Sequence, residues 1–262
     1  MIFYFTATGN SLYVAKQLGE NIISIPQAMH DEKKVYTADR IGIVSPVYGH
    51  DLPKMVKEFI SRSTFKTPYL YVIVTYGSDH SGAGAWISAL FERCRKSVNY
   101  VNDVLMVDNF LPGFDVAEEL RIKNDSDIDR KIRSIKKDIS EKKDFILPAS
   151  RQDKLRHKEI AERLRIMTEE VLKDLYTIND NCICCRLCEM ICPAGCFSMG
   201  NGKSMHDCEG CQMCFACIHA CPFNAIRLNM GDLNPDARFL NGHIGLEEIV
   251  DANCQMNFVG RG

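Results

Sequence analysis

Ile2-Phe3-Tyr4-Phe5 runs directly into Thr6-Ala7-Thr8-Gly9-Asn10-Ser11, so the chain opens on a short apolar stretch followed by a hydroxyl-rich turn. The apolar stretch predicts a buried strand. Leu12, Val14, Ala15 and Leu18, closing at Gly19, predict a helix directly after the turn. Strand, polar turn and helix together outline an anion site. Backbone N–H groups at the helix start and the hydroxyls of Thr6, Thr8 and Ser11 can all face a phosphate.

The same unit recurs downstream. Ile41 to Val44 is a second apolar run, ending in Ser45-Pro46-Val47-Tyr48-Gly49, and Leu52-Pro53 opens a helix through Val56, Phe59 and Ile60. Leu70 to Val74 is a third, ending in Thr75-Tyr76-Gly77-Ser78 ahead of a helix over Trp86 to Phe91. A further strand is expected over Val104 to Val107, ending in Asp108. Apolar runs alternating with helices predict an α/β fold, a doubly wound parallel sheet covered on both faces. Ligands in such sheets sit beyond the carboxyl ends of the strands, where all these loops lie. Ile128, Ile132, Ile135 and Ile139 mark the last helix on the sheet, with Pro148 expected to break it. There is no Walker A loop, and Gly77, Gly82 and Gly84 do not make G-x-G-x-x-G, so no separate pyridine-nucleotide domain is visible.

A second signal lies near the carboxyl end. Cys182, Cys185, Cys188 and Cys192 are followed by Pro193; Cys211, Cys214, Cys217 and Cys221 are followed by Pro222. Each run reads C-x2-C-x2-C-x3-C-P, the two are offset by 29 residues, and the match continues past the ligands as an internal repeat. The spacing resembles that of the bacterial ferredoxins, which hold two [4Fe–4S] clusters. Three thiolates two residues apart can wrap three corners of one cluster, and the cysteine before proline points away to the other. Cys182, Cys185, Cys188 and Cys221 are therefore assigned to one cluster, and Cys192, Cys211, Cys214 and Cys217 to the second. A zinc ribbon needs neither a third cysteine per run nor the Cys-Pro step. A disulfide framework suits small secreted chains, and no C-x-x-C here is followed by the histidine that haem attachment needs.

Five of the 13 cysteines remain. Cys184 and Cys196 stand where the second copy has Met213 and Ala225, and read as small apolar fillers. Cys208 offers an alternative frame with Cys211 and Cys214, which fails because position 218 is Ile. Cys94 and Cys254 read as free thiols. The histidines form no ligand spacing, and His219, between Cys217 and Cys221, reads as a partly exposed loop residue, with tuning of a cluster the other reading.

Thr6-x-Thr8-Gly9-Asn10-Ser11, directly after the first strand, resembles the FMN phosphate loop of the flavodoxins. That resemblance implies FMN held by Thr6, Ala7, Thr8, Gly9, Asn10 and Ser11. It further implies that Pro46, Val47, Tyr48 and Gly49 on one side, and Thr75, Tyr76, Gly77 and Ser78 on the other, bracket the flavin ring, with Tyr48 stacking on it. With the cysteine runs, the chain resembles the flavodoxin–ferredoxin fusion proteins of anaerobic bacteria and archaea. It departs from them at Cys184, where a small glycine or alanine is usual, and at the bulky Arg186, a cation that would raise a nearby cluster's potential. The expected organisation is a flavodoxin-like FMN domain over 1–146 and a helical connection over 147–178. A two-cluster α+β ferredoxin-like domain follows over 179–230, and then a tail over 231–262 packing on the domains.

The fusion implies an electron carrier relaying single electrons between clusters and FMN, with unidentified redox partner proteins. Its rivals are an FMN-dependent reductase fed by the clusters or linked to NAD(P)H, and a domain that has lost its flavin and only docks partners. No general acid–base pair or nucleophile arrangement stands out, which favours a carrier over a substrate-transforming enzyme. A net charge of −2 gives no basic field for nucleic acid. No apolar run approaches the ~18 residues of a membrane span. The start on a strand, without a basic leader, and the many thiols lead to an expectation of a cytoplasmic protein. A homo-oligomer is compatible with the sequence. Half of the 32 Lys and Arg fall between Asp115 and Tyr176, interleaved with acids, and read as solvated helix faces. Ile160, Leu164, Met167, Val171 and Leu175 predict a helix leading to the cysteines, and Leu246 to Val250 another in the tail.

Overall fold

The computed structural model describes residues 1–32, 34–207 and 209–256, with backbone alone over 164–170. The alternation of apolar runs and helices builds β1 (Ile2–Tyr4), α1 (Asn10–Leu18), β2 (Ile22–Ser24), α2 (Ile25–Ala28), β3 (Val35–Thr37), β4 (Ile41–Pro46) and α3 (Lys54–Arg62). It continues with β5 (Thr64–Lys66), β6 (Leu70–Tyr76), α4 (Ala83–Arg93), β7 (Tyr100–Leu105), α5 (Val116–Ile122), α6 (Asp125–Ser140) and β8 (Phe145–Ile146). The central sheet runs β2-β1-β4-β6-β7-β8, and every neighbouring pair is parallel. The order of the strands reverses between β1 and β4, the switch point of a doubly wound sheet, and this aims the loops after β1 and β4 at one cleft. Phe3, Ile43, Val44, Val72 and Ile73 are wholly buried, as strands covered on both faces must be. β3 and β5 form a separate parallel pair.

Two sequence expectations shift. The strand expected over Val104 to Val107 begins at Tyr100 and ends at Leu105. Its polar residues concealed it, yet both are buried and partnered. Asn102 donates to the Tyr100 hydroxyl at 2.6 Å, and Asp103 accepts from His80 and Lys131, both at 2.9 Å. The helix carrying Ile128, Ile132, Ile135 and Ile139 does bury that face, but it stops at Ser140 rather than at Pro148. Lys142 then turns left-handed (φ 51°), and the chain adds β8 to the sheet edge.

α7 (Arg151–Lys173) starts at a capping box in which Ser150 and Asp153 bond each other's backbone N–H. Leu175 beyond it is buried; Leu164 and Met167 of its predicted face lie outside the described side chains. The cysteine region follows as β9 (Tyr176–Ile178), α8 (Leu187–Met190), β10 (Phe197–Gly200), β11 (Lys203–His206), α9 (Ala216–Ala220) and β12 (Ile226–Leu228). β9 pairs with β12 and β10 with β11, both antiparallel. β9 therefore belongs to the cysteine module, ahead of the expected boundary at residue 179. The tail ends in α10 (Leu246–Asn253), which packs on α2. No helix among the described residues is long and apolar enough to cross a membrane.

Candidate functional site

The loops after β1, β4 and β6 meet in an open cleft. Thr6, Ala7, Thr8, Asn10, Ser11, Pro46, Val47, Tyr48, Thr75, Tyr76 and Gly77 line it, all named from the sequence. Gly9, Gly49 and Ser78 do not. Gly9 is the left-handed residue before α1 (φ 98°), turned toward the tail, while Gly49 and Ser78 are exposed. Three further lining residues, Val107, Asp108 and Asn109, come from the loop after β7. Their only signal in the sequence was position beyond a strand's carboxyl end.

The cleft is polar at one end. Gly9 N–H donates to Thr6 Oγ1 at 3.2 Å, Ser11 and Thr75 hydroxyls lie 2.8 Å apart, and Asn109 Nδ2 donates to Thr8 Oγ1 at 3.2 Å. Thr6, Thr8 and Ser11 are buried hydroxyls at the N-terminus of α1, the donor set a phosphate monoester takes. Val47, Tyr48 and Tyr76 form the apolar end, where a planar ring could lie. A Cβ on Gly77 would collide with the Asp108 carboxyl, so the walls touch there without a side chain between them. Burial pushes the Asp108 carboxyl above its ordinary pKa. The Tyr48 hydroxyl is buried with no hydrogen-bond partner among the described residues, an orphan that a bound group could satisfy.

The cysteine loops repeat each other in backbone as well as in sequence. Cys184, Arg186 and Gly195 have left-handed φ of 59°, 66° and 65°; Met213, Phe215 and Asn224, each 29 residues on, have 50°, 59° and 50°. Cys196 N–H donates to Cys192 Sγ at 3.2 Å, and Ala225 N–H to Cys221 Sγ at 3.3 Å. Left-handed residues set between right-handed ones turn successive N–H groups toward one point, a concavity that favours anions and iron–sulfur sites.

Cys182, Cys185, Cys188 and Cys221 all line one pocket. The second set, Cys192, Cys211, Cys214 and Cys217, also converges. Burial pushes Cys217 far above the ordinary thiol range, and charge on Cys214, Cys192 and Cys211 would push it further. Burial likewise raises Cys214. Four thiolates in so enclosed a space need positive charge among them, which is the chemistry of a metal centre.

Several residues depart from their sequence readings. Cys196 is buried, as a filler would be, but its sulfur lies beside ligand candidates. Cys196 Sγ, Cys211 Sγ and a ring nitrogen of His206 all fall within 4.8 Å of one another. His206 Nε2 is itself buried and unpartnered among the described residues. His219 is buried rather than partly exposed, and it bonds backbone rather than a cluster loop: its Nε2 pairs with the Asn109 carbonyl at 2.9 Å, and Nδ1 accepts from Phe239 N–H at 3.1 Å. Arg186 is engaged by Glu189 at 2.9 Å, which offsets its charge. Cys208 lies outside the described residues, so its alternative frame is not addressed by the geometry.

A family model described as a flavodoxin domain matches residues 1–100. The N-terminal unit is a flavodoxin-like domain. A solved structure from Bacteroides uniformis, assigned as a flavoprotein, is similar at 17% identity over 46% of this chain and 94% of that one, with a TM-score of 0.32. That likeness is too slight to argue from. No match is found among curated proteins.

The cysteine module sits on the carboxyl end of this flavodoxin-like domain. Cys214, Ala216 and Ala220 share a continuous buried apolar cluster with Phe5, Val44 and Val74 of the sheet. Gln212 Oε1 accepts from Met55 N–H at 2.9 Å at the start of α3, and Phe215 stacks on Phe110 at 5.9 Å. Cys214 is near enough to Tyr48 that its charge would add to the effect of burial in raising the Tyr48 hydroxyl. The tail closes the arrangement: Asn241 N–H donates to the Thr8 carbonyl at 2.7 Å and Asn253 Nδ2 to the Thr6 carbonyl at 3.0 Å.

Proposed function

We propose that the chain is an electron-transfer flavo-iron–sulfur protein, with FMN in the cleft and two [4Fe–4S] clusters in the cysteine module. The observation carrying this reading is the seating of the Cys214 loop against the cleft wall at Tyr48. Cys182, Cys185, Cys188 and Cys221 would hold the outer cluster, and Cys192, Cys211, Cys214 and Cys217 the one beside the flavin. Bound clusters exchange single electrons and bound flavin exchanges one or two, so together they interconvert the two kinds of chemistry.

The chain's own part is placement and protection. Thr6, Thr8 and Ser11 bind phosphate, while Val47, Tyr48 and Tyr76 exclude water from the ring end. Cys192 and Cys221 each reach across to the other loop, which ties the two sites together. N–H donation from Cys196 and Ala225 favours thiolate at those two sulfurs. Cys185 and Ile183 are exposed at the outer site, where a separate redox protein would exchange electrons.

One close pair outside the cleft resembles a nucleophile with its base: His50 Nδ1 and Ser81 Oγ are 2.6 Å apart. Ser81 is buried, and Asp79 approaches that same Nδ1 at 3.9 Å, so the described residues form no relay through the ring. Arg156 of α7 holds Asp79 at 2.6 Å, and the group ties the ring-side loops to α7.

The test is anaerobic purification with iron, sulfide and flavin measured together, followed by reductive titration and by mixing with NADH or NADPH. About eight irons and one FMN per chain are expected. Zinc in place of iron, or no retained flavin, would sink the assignment. Rapid flavin bleaching by a reduced pyridine nucleotide would instead favour the reductase.

A further inference from the structure

His219 lies in α9 between Cys217 and Cys221, yet both its ring nitrogens bond backbone outside the cysteine module. Phe239 N–H of the tail donates to Nδ1 at 3.1 Å, so the ring is neutral with its proton on Nε2, which donates to the Asn109 carbonyl at 2.9 Å. Asn109 passes the contact on, because its Nδ2 donates to Thr8 Oγ1 at 3.2 Å. Two residues beyond Phe239, Asn241 N–H donates to the Thr8 carbonyl at 2.7 Å. These bonds close a circuit through the Thr6 to Ser11 turn, the loop after β7, α9 and the tail. A hydroxyl that accepts from Asn109 keeps its own proton to donate, and Thr8 and Asn109 both line the cleft. The buried side chains around Phe215 and Ile218 of this region include Cys192, Cys196 and Cys217. A module whose core is built with ligand thiols gains much of its folding energy from the metal it binds.

We propose that His219 is a positioning residue through which the filled cysteine module holds Thr8 in place for the phosphate of FMN, so that tight FMN binding follows cluster assembly. The inference rests on the flavin and cluster reading above. His219 touches neither cofactor. It fixes the Asn109 carbonyl, Asn109 fixes the Thr8 hydroxyl, and only the last of these meets the phosphate.

The test compares FMN with riboflavin, which has the ring but no phosphate. Full chains are reconstituted anaerobically with iron and sulfide, freed of flavin, assayed for iron and titrated by equilibrium dialysis. A lost hydrogen bond to a charged group costs about tenfold or more in affinity, so His219→Leu is expected to bind FMN at least about tenfold more weakly while riboflavin changes by less than about twofold. His219→Gln, whose amide can place a donor near the Nε2 position, is expected to restore most of the FMN affinity. Removing iron from the unaltered chain with a chelator is expected to cost FMN the same factor, and removing it from His219→Leu to cost nothing further. Equal weakening of FMN and riboflavin would show a merely structural role and overturn the proposal. So would an undiminished FMN preference in iron-loaded His219→Leu, or a further loss of preference when its iron is removed. Should His219→Leu fail to fold or to hold iron, Asn109→Ala cuts the same path at Thr8. It is expected to lose both the FMN preference and its dependence on iron, and persistence of either overturns the proposal. An unaltered chain that takes up no iron, or binds FMN no better than riboflavin, marks failure of the cofactor reading instead.

Discussion

Gly9→Ala separates two costs that usually arrive together. Gly9 has φ of 98°, and Gly231 in the tail has a nearly identical 101°. An L-residue in that region costs about 1–2 kcal/mol at either place. The surroundings differ. A Cβ on Gly9 would stand 2.9 Å from Asn241 Cβ and 3.3 Å from Ile244 Cβ, whereas nothing lies within 4 Å of one on Gly231. Backbone-borne Cβ atoms cannot swing aside, so Gly9→Ala must displace the tail segment that bonds the Thr8 carbonyl through Asn241 N–H. Overpacking of this kind costs about 1–3 kcal/mol. Gly9→Ala is therefore expected to lose about 2–5 kcal/mol and Gly231→Ala about 1–2, with their difference reporting the tail contact alone. Urea unfolding of the cofactor-free proteins, followed by circular dichroism, gives the two losses. FMN titration by fluorescence should show weaker binding for Gly9→Ala and no change for Gly231→Ala. Equal losses of stability in the two variants would refute the seating of the tail on the Thr6 to Ser11 turn.

Two more outcomes follow from buried polar groups. Burial alone would raise the Asp103 carboxyl, but hydrogen bonds from His80 and Lys131 outweigh it and hold the pKa at about 2. A folded-state value below the ordinary 3.8 means stability that is present above about pH 4 and lost as pH falls toward 2, by about 2 kcal/mol in all. Asp103→Asn should remove that part of the acid limb in unfolding measured from pH 5 to 2; an unchanged limb contradicts the ion-pair geometry. Tyr48→Phe should leave the cofactor-free protein as stable or up to about 1 kcal/mol more stable, because the hydroxyl it deletes is buried without a partner. A clear loss in thermal unfolding would show that the hydroxyl is bonded.

The local units are legible in the order of residues alone. Apolar runs such as Ile41 to Val44 specify strands through burial on both faces, and the Ile128 to Ile139 stripe specifies a helix through its period, because both signals lie within one short stretch of chain. The doubled cysteine spacing and the Thr6 to Ser11 turn were legible for the same reason. β7 was half hidden because Asn102 and Asp103 are satisfied by Tyr100, His80 and Lys131, partners that only folding brings to them. The fourth wall of the cleft, Val107 to Asn109, has no motif of its own and becomes a wall only through strand order. Only folding brings the Cys214 loop to the cleft, Cys196 and His206 beside Cys211, and the tail onto the Thr6 to Ser11 turn. Those contacts join residues far apart in the chain, so neither periodicity nor spacing records them; the apolar surface shared by the sheet and the Cys214 loop sets them.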